Sequence, residues 1–511
     1  MKNFYITTPI YYVNDKPHIG HAYTTLACDV IARFKRLDGF NVKFLTGTDE
    51  HGLKVAQSAE KNSVDPQSFT DQVSQHFRNL VEKMNFSNDD FIRTTEPRHK
   101  ISAQGFWKLL EAKGYIYKGK YSGFYSVRDE AYYAEEELIN GKAPTGAEVA
   151  WHEEETYFFK LSAFQDKLLE FYQNNPDFIS PKSRYNEVVS FVRGGKVYVK
   201  DALKDLSVSR TSFDWGIKVP SDPKHVMYVW LDALTNYLSA IGFPDTNTND
   251  YVNFWPANIH VVGKDILRFH AVYWPAFLMA AELSIPKKIF AHGWWTNEGE
   301  KISKSLGNVI DPFAVADEFG LDQMRYFLLS QVVFGNDGDF SKEELIRKTN
   351  SDLANNIGNL AQRILSMVFK NCEAKIPENS NLNSEDDELI NYGYNLINIL
   401  RHHIDALNFS EYLAEVIKYS NSINEYVDKM APWQLRKTDQ DRMQSVLYTV
   451  LETLRLIAIY LSCVMPDSAQ KIFNSLGVDD EKYAFKHLNA NFRLRSGTSI
   501  SKPNPVFKRY L

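Results

Sequence analysis

The stretch Pro17-His18-Ile19-Gly20-His21 decides how this chain reads. It lies between an apolar run with the composition of a strand, Phe4 to Ile10, and a helical pattern from Ala22 to Leu37. A strand, a tight polar turn with a glycine, then a helix is the geometry that presents backbone N–H groups to a phosphate. Two imidazoles across such a turn can donate to the same phosphate oxygens. Two histidines around a glycine are more often incidental than functional. Their weight comes from a second stretch, Lys301-Ile302-Ser303-Lys304-Ser305, which brings two lysines. Together the two stretches can converge on a triphosphate.

These two stretches resemble the HIGH and KMSKS motifs of the class I aminoacyl-tRNA synthetases. The first matches letter for letter; the second has Ile302 where methionine is commonest, an apolar exchange that keeps both lysines and both serines. The resemblance implies an α/β fold: a Rossmann-type parallel sheet split by a small α+β insertion, followed by an all-α helical-bundle anticodon-binding domain. The expected divisions are 1–116 for the first catalytic half, 117–222 for the connective insertion, 223–349 for the second half with the lysine loop, and 350–511 for the helical domain with its tail.

A chain of 511 residues has room for several domains, and 44% hydrophobic residues supply an ample core. The formal net charge of −6 does not advertise a nucleic-acid partner, so any RNA-binding surface has to be a local basic patch. Residues 1–10 run straight into a strand without a secretory or transit pattern. The most apolar run, Val446 to Met465, carries Glu452 and Arg455 and reads as a buried helix, not a membrane span. Cys28, Cys372 and Cys463 form no CxxC pair, which argues against a disulfide framework and for a reducing, cytoplasmic setting.

Val42 to Leu45 reads as a short β run ending in the polar loop Thr46-Gly47-Thr48-Asp49-Glu50-His51-Gly52. Ligands of open α/β sheets bind beyond the carboxyl ends of strands, so this loop and the His18 turn are expected to face one crevice. Spacing alone allows Asp49 to be a helix N-cap. The loop also resembles the GTDxHG segment of methionyl-tRNA synthetases, which implies that Asp49 holds the α-amino group of the substrate.

Between about 117 and 222 the character changes. Tyr121 to Val127 and Tyr157 to Leu161 read as strands of a small antiparallel sheet. Many relatives carry CxxC zinc knuckles here; this insertion has no cysteine, and His152 is its one histidine between Tyr117 and His225, so no structural zinc is expected. It is also too short to resemble the large editing domains of the leucyl, isoleucyl and valyl enzymes. Arg210 closes a strand-like run; such an arginine is usually a surface ion pair, but the family places one near the ATP phosphates.

From 223 to 340 the α/β alternation returns. Val226 to Ala233 is a strand entering a helix, and Ile259 to Asp265 is a buried strand followed by a phosphate-friendly turn. Ile266, His270 and Trp274 fall on one helical face, where a buried imidazole needs a partner. Ile289 to Trp295 is a further strand leading to the lysine loop, with a turn at Glu298-Gly299-Glu300.

Substrate choice rests on Ile10, Tyr12, Asp49, Trp230, Ala233, Tyr237, Ile266, His270 and Trp274. This apolar, aromatic set suits an unbranched thioether, whose sulfur gains about 0.3–1.5 kcal/mol per aromatic contact. The same segments resemble the methionine-site segments of methionyl-tRNA synthetases, with Leu234 departing where some members carry proline. The resemblance implies that ATP is bound by His18, Gly20, His21, Arg210, Asp265, Lys301, Ser303 and Lys304. His18, His21, Lys301 and Lys304 would act in catalysis, and Mg²⁺ would share the phosphate charge.

From about Asn350 the pattern is helical throughout, with an apolar stripe at Leu353, Ile357, Leu360, Ile364 and Met367. Asn359 and Arg363 lie beside it, and Ala431-Pro432-Trp433 opens another helix. A solvated polar edge and a core tryptophan are the plain readings. The resemblance implies that Asn359, Arg363 and Trp433 read the CAU anticodon of tRNA(Met), initiator tRNA included. No further C-terminal oligonucleotide-binding domain is expected, hence a monomer without a membrane partner. Another class I synthetase, a non-catalytic RNA-binding paralogue and a nucleotidylyltransferase are the competing readings. Missing thiolates, the small insertion, the intact His18, His21, Asp49, Lys301 and Lys304, and the helical end weigh against each.

Overall fold

The computed structural model describes residues 2–510 except 130, 134, 303–306, 380 and 479–482; at 121, 131, 132, 152, 154 and 301 it describes the backbone alone. The chain forms two compact units. One comprises Asn3–Pro17 and Val42–His292; the other comprises Met1–Lys2, His18–Asn41 and Gly293–Leu511.

The first unit is built on a seven-stranded sheet. Its order is Tyr11–Tyr12, Asn41–Asp49, Asn3–Thr7, Ile259–Gly263, Ile289–His292 and Ile179–Ser180, with Asp90–Arg93 also paired to Asn41–Asp49. Neighbouring strands run parallel, with Ile6 opposite Ile259 and His260 opposite Ile289. Tyr5, Ile6, Val261, Val262, Ile289 and Ala291 are buried, as strands covered on both faces require.

Strand Asn41–Asp49 corrects the expectation of a short run ending at Leu45. Thr46, Gly47 and Thr48 continue the ladder opposite Phe91, Ile92 and Arg93. A Cβ at Gly47 would stand 2.0 Å from the Ile92 carbonyl oxygen, so glycine alone lets the strand through. Glycine weakens strands in general, which is why this segment reads as a loop in sequence.

The aromatic alternation around 121–127 and 157–161 does form an antiparallel sheet, in the order Ala131–Tyr133, Ile116–Ser126, Ala150–Phe159 and Leu206–Ser207. Its third strand stops at Phe159; Leu161 opens a 3₁₀ turn. The same stretch of sequence also lends Ile179–Ser180 to the parallel sheet, beside Ile289 and Phe290.

The second unit is mostly helical. Its first helix, Ile19–Leu37, starts before the expected Ala22 because His18 caps it. Buried Arg325 donates to Asp29 at 2.6 Å, and Lys35 to Asp405 at 2.6 Å, tying that helix to the bundle. Helix Gln440–Leu461 is the bundle's axis. It is long and apolar enough to cross a membrane, yet its apolar window is 94% buried in the protein. Arg455 pairs with Glu452 at 2.6 Å inside it, and Tyr394 and the Leu494 N–H complete the carboxylate's bonds.

Two expectations for this half need correction. The apolar stripe holds through Leu353, Ile357, Leu360 and Ile364, but Met367 is half-buried and Val368 takes the inward place. Thr349–Gly358 is a π-helix, whose wider turn changes the phase of a 3.6-residue pattern. The chain is also not helical to its end. From Arg493 a tail folds back over the bundle, where Ser499 bridges Lys375 and the Tyr510 hydroxyl donates to the Phe319 carbonyl at 2.6 Å.

Candidate active site and anticodon surface

In the sheet unit the amino-acid residues converge on one core. Ile10, Tyr12, Trp230 and Ile266 are partly buried against the cluster that contains Tyr237 and Trp274, and Ala233 is buried. Trp230 lies flat on Phe269, with ring centroids 3.7 Å apart and an interplanar angle of 7°. Phe269 was not among the sequence candidates, although its place beside His270 could have suggested it.

The chain at Ile266, His270 and Trp274 is not a plain α-helix. A 3₁₀ turn at Lys264–Ile266 passes into a π-turn at Phe269–Tyr273 before the helix Trp274–Ala281. His270 Nδ1 stands 3.0 Å from the Ile266 carbonyl oxygen, and its Nε2 stands 2.7 Å from the Tyr237 hydroxyl. A carbonyl only accepts, so Nδ1 carries the proton. Burial holds the ring's pKa down at about 4, so it is neutral near pH 7. Nε2 must then accept, and the Tyr237 hydroxyl donates to it. Below this pair, the Tyr237 ring stacks on His260 at 4.0 Å, and His260 Nδ1 meets Thr7 Oγ1 at 2.7 Å.

Asp49 is the last residue of its strand, opposite Tyr12, and is 7% exposed. The following helix is capped by Gly52 without a side-chain bond, so Asp49 is not its N-cap. Glu50, beside it, is fully buried; Arg93 donates twice to its carboxylate, at 2.7 and 2.9 Å, and Thr48 and Thr95 donate once each.

Arg210, also in this unit, is 3% exposed rather than a surface ion pair. It donates to Ser207 Oγ and to the Ser209 carbonyl, and its guanidinium lies 4.7 Å from the Tyr228 ring centre. Asp265 is exposed in the turn after strand Ile259–Gly263, where a Cβ at Gly263 would meet its carboxylate at 2.6 Å.

The helical unit holds the His18 turn. His18 Nδ1 accepts from the Gly20 N–H and His21 Nδ1 from the His18 N–H, both at 3.1 Å, a capping box made of two imidazoles. The rings lie 3.9 Å apart. With Nδ1 accepting, each neutral ring carries its proton on Nε2. A Cβ at Gly20 would stand 2.9 Å from His18 Cε1, so glycine seats the first imidazole. Lys301 pairs through its backbone with Thr296 in the hairpin Trp295–Asn297 and Glu300–Lys301, whose turn has Glu298 and Gly299 at φ 50° and 80°. Ser303 and Lys304 lie outside the described residues.

In the same unit the Arg363 guanidinium lies 5.3 Å from the Trp433 ring centre and donates to Asp428 at 3.2 Å. Trp433 is 42% exposed, so it is no core anchor. Asn359 lines a cavity of about 450 Å³ together with Asn355, Gln362, Phe507 and Arg509. Among the described residues no three His, Cys, Asp or Glu side chains are grouped to hold a metal ion.

A family model described as tRNA synthetases class I (M) matches residues 4–150 and 136–365, and one described as the anticodon binding domain of methionyl tRNA ligase matches 376–510. The methionine–tRNA ligase of Rickettsia bellii (strain RML369-C) is 57% identical, over 99% of this chain and 99% of its own. That of Rickettsia prowazekii (strain Madrid E) is 55% identical over 100% of both. The solved structure of Mycobacterium tuberculosis methionyl-tRNA synthetase in complex with methionyl-adenylate matches with a TM-score of 0.95 and 48% identity, covering 100% of each chain. With a two-histidine turn, a largely buried aromatic wall and a helical unit already seen in the fold, these matches decide the matter: the chain belongs to the methionyl-tRNA synthetases, class I enzymes that join methionine to tRNA.

Proposed function

We propose that methionine binds against Ile10, Tyr12, Trp230, Ala233, Tyr237, Ile266, His270 and Trp274, with its α-amino group on Asp49. The Tyr237–His270 pair is the observation that carries this reading. The hydroxyl proton is committed to a neutral imidazole, at the edge of an aromatic wall. A thioether gains dispersion there and asks for no donor. A charged or hydroxylated side chain would lose its hydration without recovering it.

The methionine carboxylate attacks the α-phosphorus of ATP in line. The bond to the bridging oxygen breaks, and pyrophosphate leaves from methionyl-adenylate. No protein nucleophile is needed; the chain positions the reactants and stabilises phosphate charge. His18 and His21 donate from Nε2 to the triphosphate, Asp265 accepts from the ribose, and Arg210, Lys301, Ser303 and Lys304 complete the phosphate contacts. Mg²⁺, commonly held by substrate phosphates and water rather than by a protein cage, would share the phosphate charge. The 2′-hydroxyl of the terminal tRNA ribose then attacks the acyl carbon and releases AMP. Asn359, Arg363 and Trp433 read the CAU anticodon by stacking and base-edge hydrogen bonds, in elongator and initiator tRNA alike. A cytoplasmic monomer organised as 1–116, 117–222, 223–349 and 350–511 fits this reading.

Pyrophosphate exchange with each standard amino acid, without tRNA, tests the pocket. Exchange with methionine alone is expected; exchange with a different amino acid would overturn the pocket assignment. Charging of tRNA transcripts that differ only in the anticodon tests the helical surface, with CAU expected to be strongly preferred.

A further inference from the structure

The proposed chemistry leaves one buried charge unused. Asp232 sits in the first turn of helix Val229–Ser239, between Trp230 and Ala233, and is fully buried. Its Oδ2 lies 2.7 Å from His51 Nδ1 and its Oδ1 2.7 Å from His99 Nε2. Both rings are buried as well, His51 at 2% and His99 at 0% exposure. Burial alone would push this carboxyl up, but the two imidazoles outweigh it and hold the pKa down at about 2. A carboxylate only accepts, so the facing nitrogen of each ring carries a proton.

A buried carboxylate between two imidazoles is a poor device for stability alone, because an apolar core of the same volume does as well or better. What the carboxylate does achieve is registry. His51 comes two residues after Asp49, His99 belongs to helix Pro97–Ala112, and Asp232 belongs to the helix that carries Trp230, Ala233 and Tyr237. The His51 arm is tightly held. The Trp215 ring meets His51 edge-on at 5.4 Å, the Trp215 indole N–H donates to the Glu50 carbonyl at 2.6 Å, and the Gly52 N–H donates to the Trp215 carbonyl at 3.2 Å. Glu50 is locked on its other side by Arg93. The His99 arm ends differently, 3.0 Å from Ser239 Oγ within the same pair of helices.

We propose that Asp232 is a positioning residue for amino-acid recognition: through His51 it sets the distance between Asp49 and the aromatic wall, while its bond to His99 serves only to hold two helices together. This rests on the reading of Asp49 and the Trp230 helix as the methionine site. Methionine specificity then depends on a link that touches no substrate atom. A shift of about 1 Å between the carboxylate that takes the amino group and the wall that takes the side chain is enough to weaken binding substantially.

The test is pyrophosphate exchange, with KM measured separately for methionine and ATP, beside urea unfolding. His51→Phe keeps a ring and removes the donor; it is expected to raise KM for methionine about tenfold and leave KM for ATP within about twofold. His51→Asn restores an N–H near the Nδ1 position and is expected to recover most of that loss. His99→Phe is expected to lower the urea midpoint with KM for methionine nearly unchanged. The proposal is overturned if His51→Phe leaves KM for methionine unchanged, or if the His51 and His99 variants raise it equally in step with lost stability. Should His51→Phe not fold, His51→Gln carries the test: its donor is displaced, so an unchanged KM for methionine in the folded variant is equally fatal. Failure of the wild-type protein to exchange with methionine would instead sink the pocket assignment itself, a separate outcome read in the same assay.

Discussion

In the sheet unit Tyr237 and His270 are each 1% exposed, with their polar atoms bonded to one another. In the helical unit Trp433 is 42% exposed, and the Arg363 guanidinium lies against it with an exposed aspartate as partner. The first arrangement is finished before any ligand arrives. It suits a small apolar side chain recognised by shape, where each misplaced atom counts. The second leaves Trp433 half open to solvent, with the Arg363 cation held beside it only by an exposed bond to Asp428. It suits an RNA whose bases unstack and are read one at a time. On the proposed assignments, discrimination among amino acids falls to the core and discrimination among tRNAs to the surface.

Substitutions can break or sharpen this contrast. The largest effect is expected at Asp49→Asn, which removes the charge assigned to the amino group. A loss of about 2–3 kcal/mol, or roughly a hundredfold in kcat/KM for methionine, is expected in pyrophosphate exchange. A defect seen only in tRNA charging would undo the pocket side of the contrast. Next is the pH dependence of stability. The folded pKa of His270 lies below its ordinary value, so the unfolded chain binds the proton first as pH falls. Stability from this group is complete above about pH 6.5 and declines toward pH 4, by about 1.4 kcal/mol per pH unit inside that window. Urea midpoints at pH 7 and pH 5 should therefore differ more in the wild type than in His270→Gln. An equal difference would mean that His270 is not held neutral by its burial.

On the helical side, Trp433→Ala should weaken tRNA charging by about 1–3 kcal/mol, one lost stacked base, while exchange without tRNA is unchanged. A loss in exchange would show that the surface is not separable from the pocket. The smallest effect belongs to Asp428→Ala. Its bond to Arg363 is exposed and 3.2 Å long, so the change in unfolding free energy should stay below about 1 kcal/mol.

The two regions also differed in how far the sequence revealed them. The strand–turn–helix around His18 and the helix that carries Trp230 were legible because each is a short run whose residue types and order suit one local geometry. Asn359, Arg363 and Trp433 were singled out on the family resemblance, and Asn359 and Trp433 prove exposed. The extension of strand Asn41–Asp49 was not, because Gly47 is there for a close approach to Ile92 that only the paired strand reveals. The π-turns at Phe269–Tyr273 and Thr349–Gly358 were hidden too, since a 3.6-residue periodicity has no signature for one wider turn. Least visible was the meeting of Asp232 with His51 and His99. Sequence shows that a buried imidazole needs a partner, but residues this far apart leave no local trace of which partner it finds.

Helix Ile19–Leu37 has a consequence for how the protein is made. It is among the first segments to leave the ribosome, yet Asp29 takes its bond from Arg325, and Phe34 packs against Tyr412 and Phe485. Those partners are translated as much as roughly 450 residues later, on the order of a minute at ordinary elongation rates. Until each partner arrives the contact it provides is missing, and a short isolated helix is marginal in water. Tyr23 gains Trp295 and Phe334, and Asp29 gains Arg325, well before Phe34 gains Phe485, so the helix is completed in stages. The two histidines at its start, His18 and His21, are thus made long before the helix that carries them has its full set of partners.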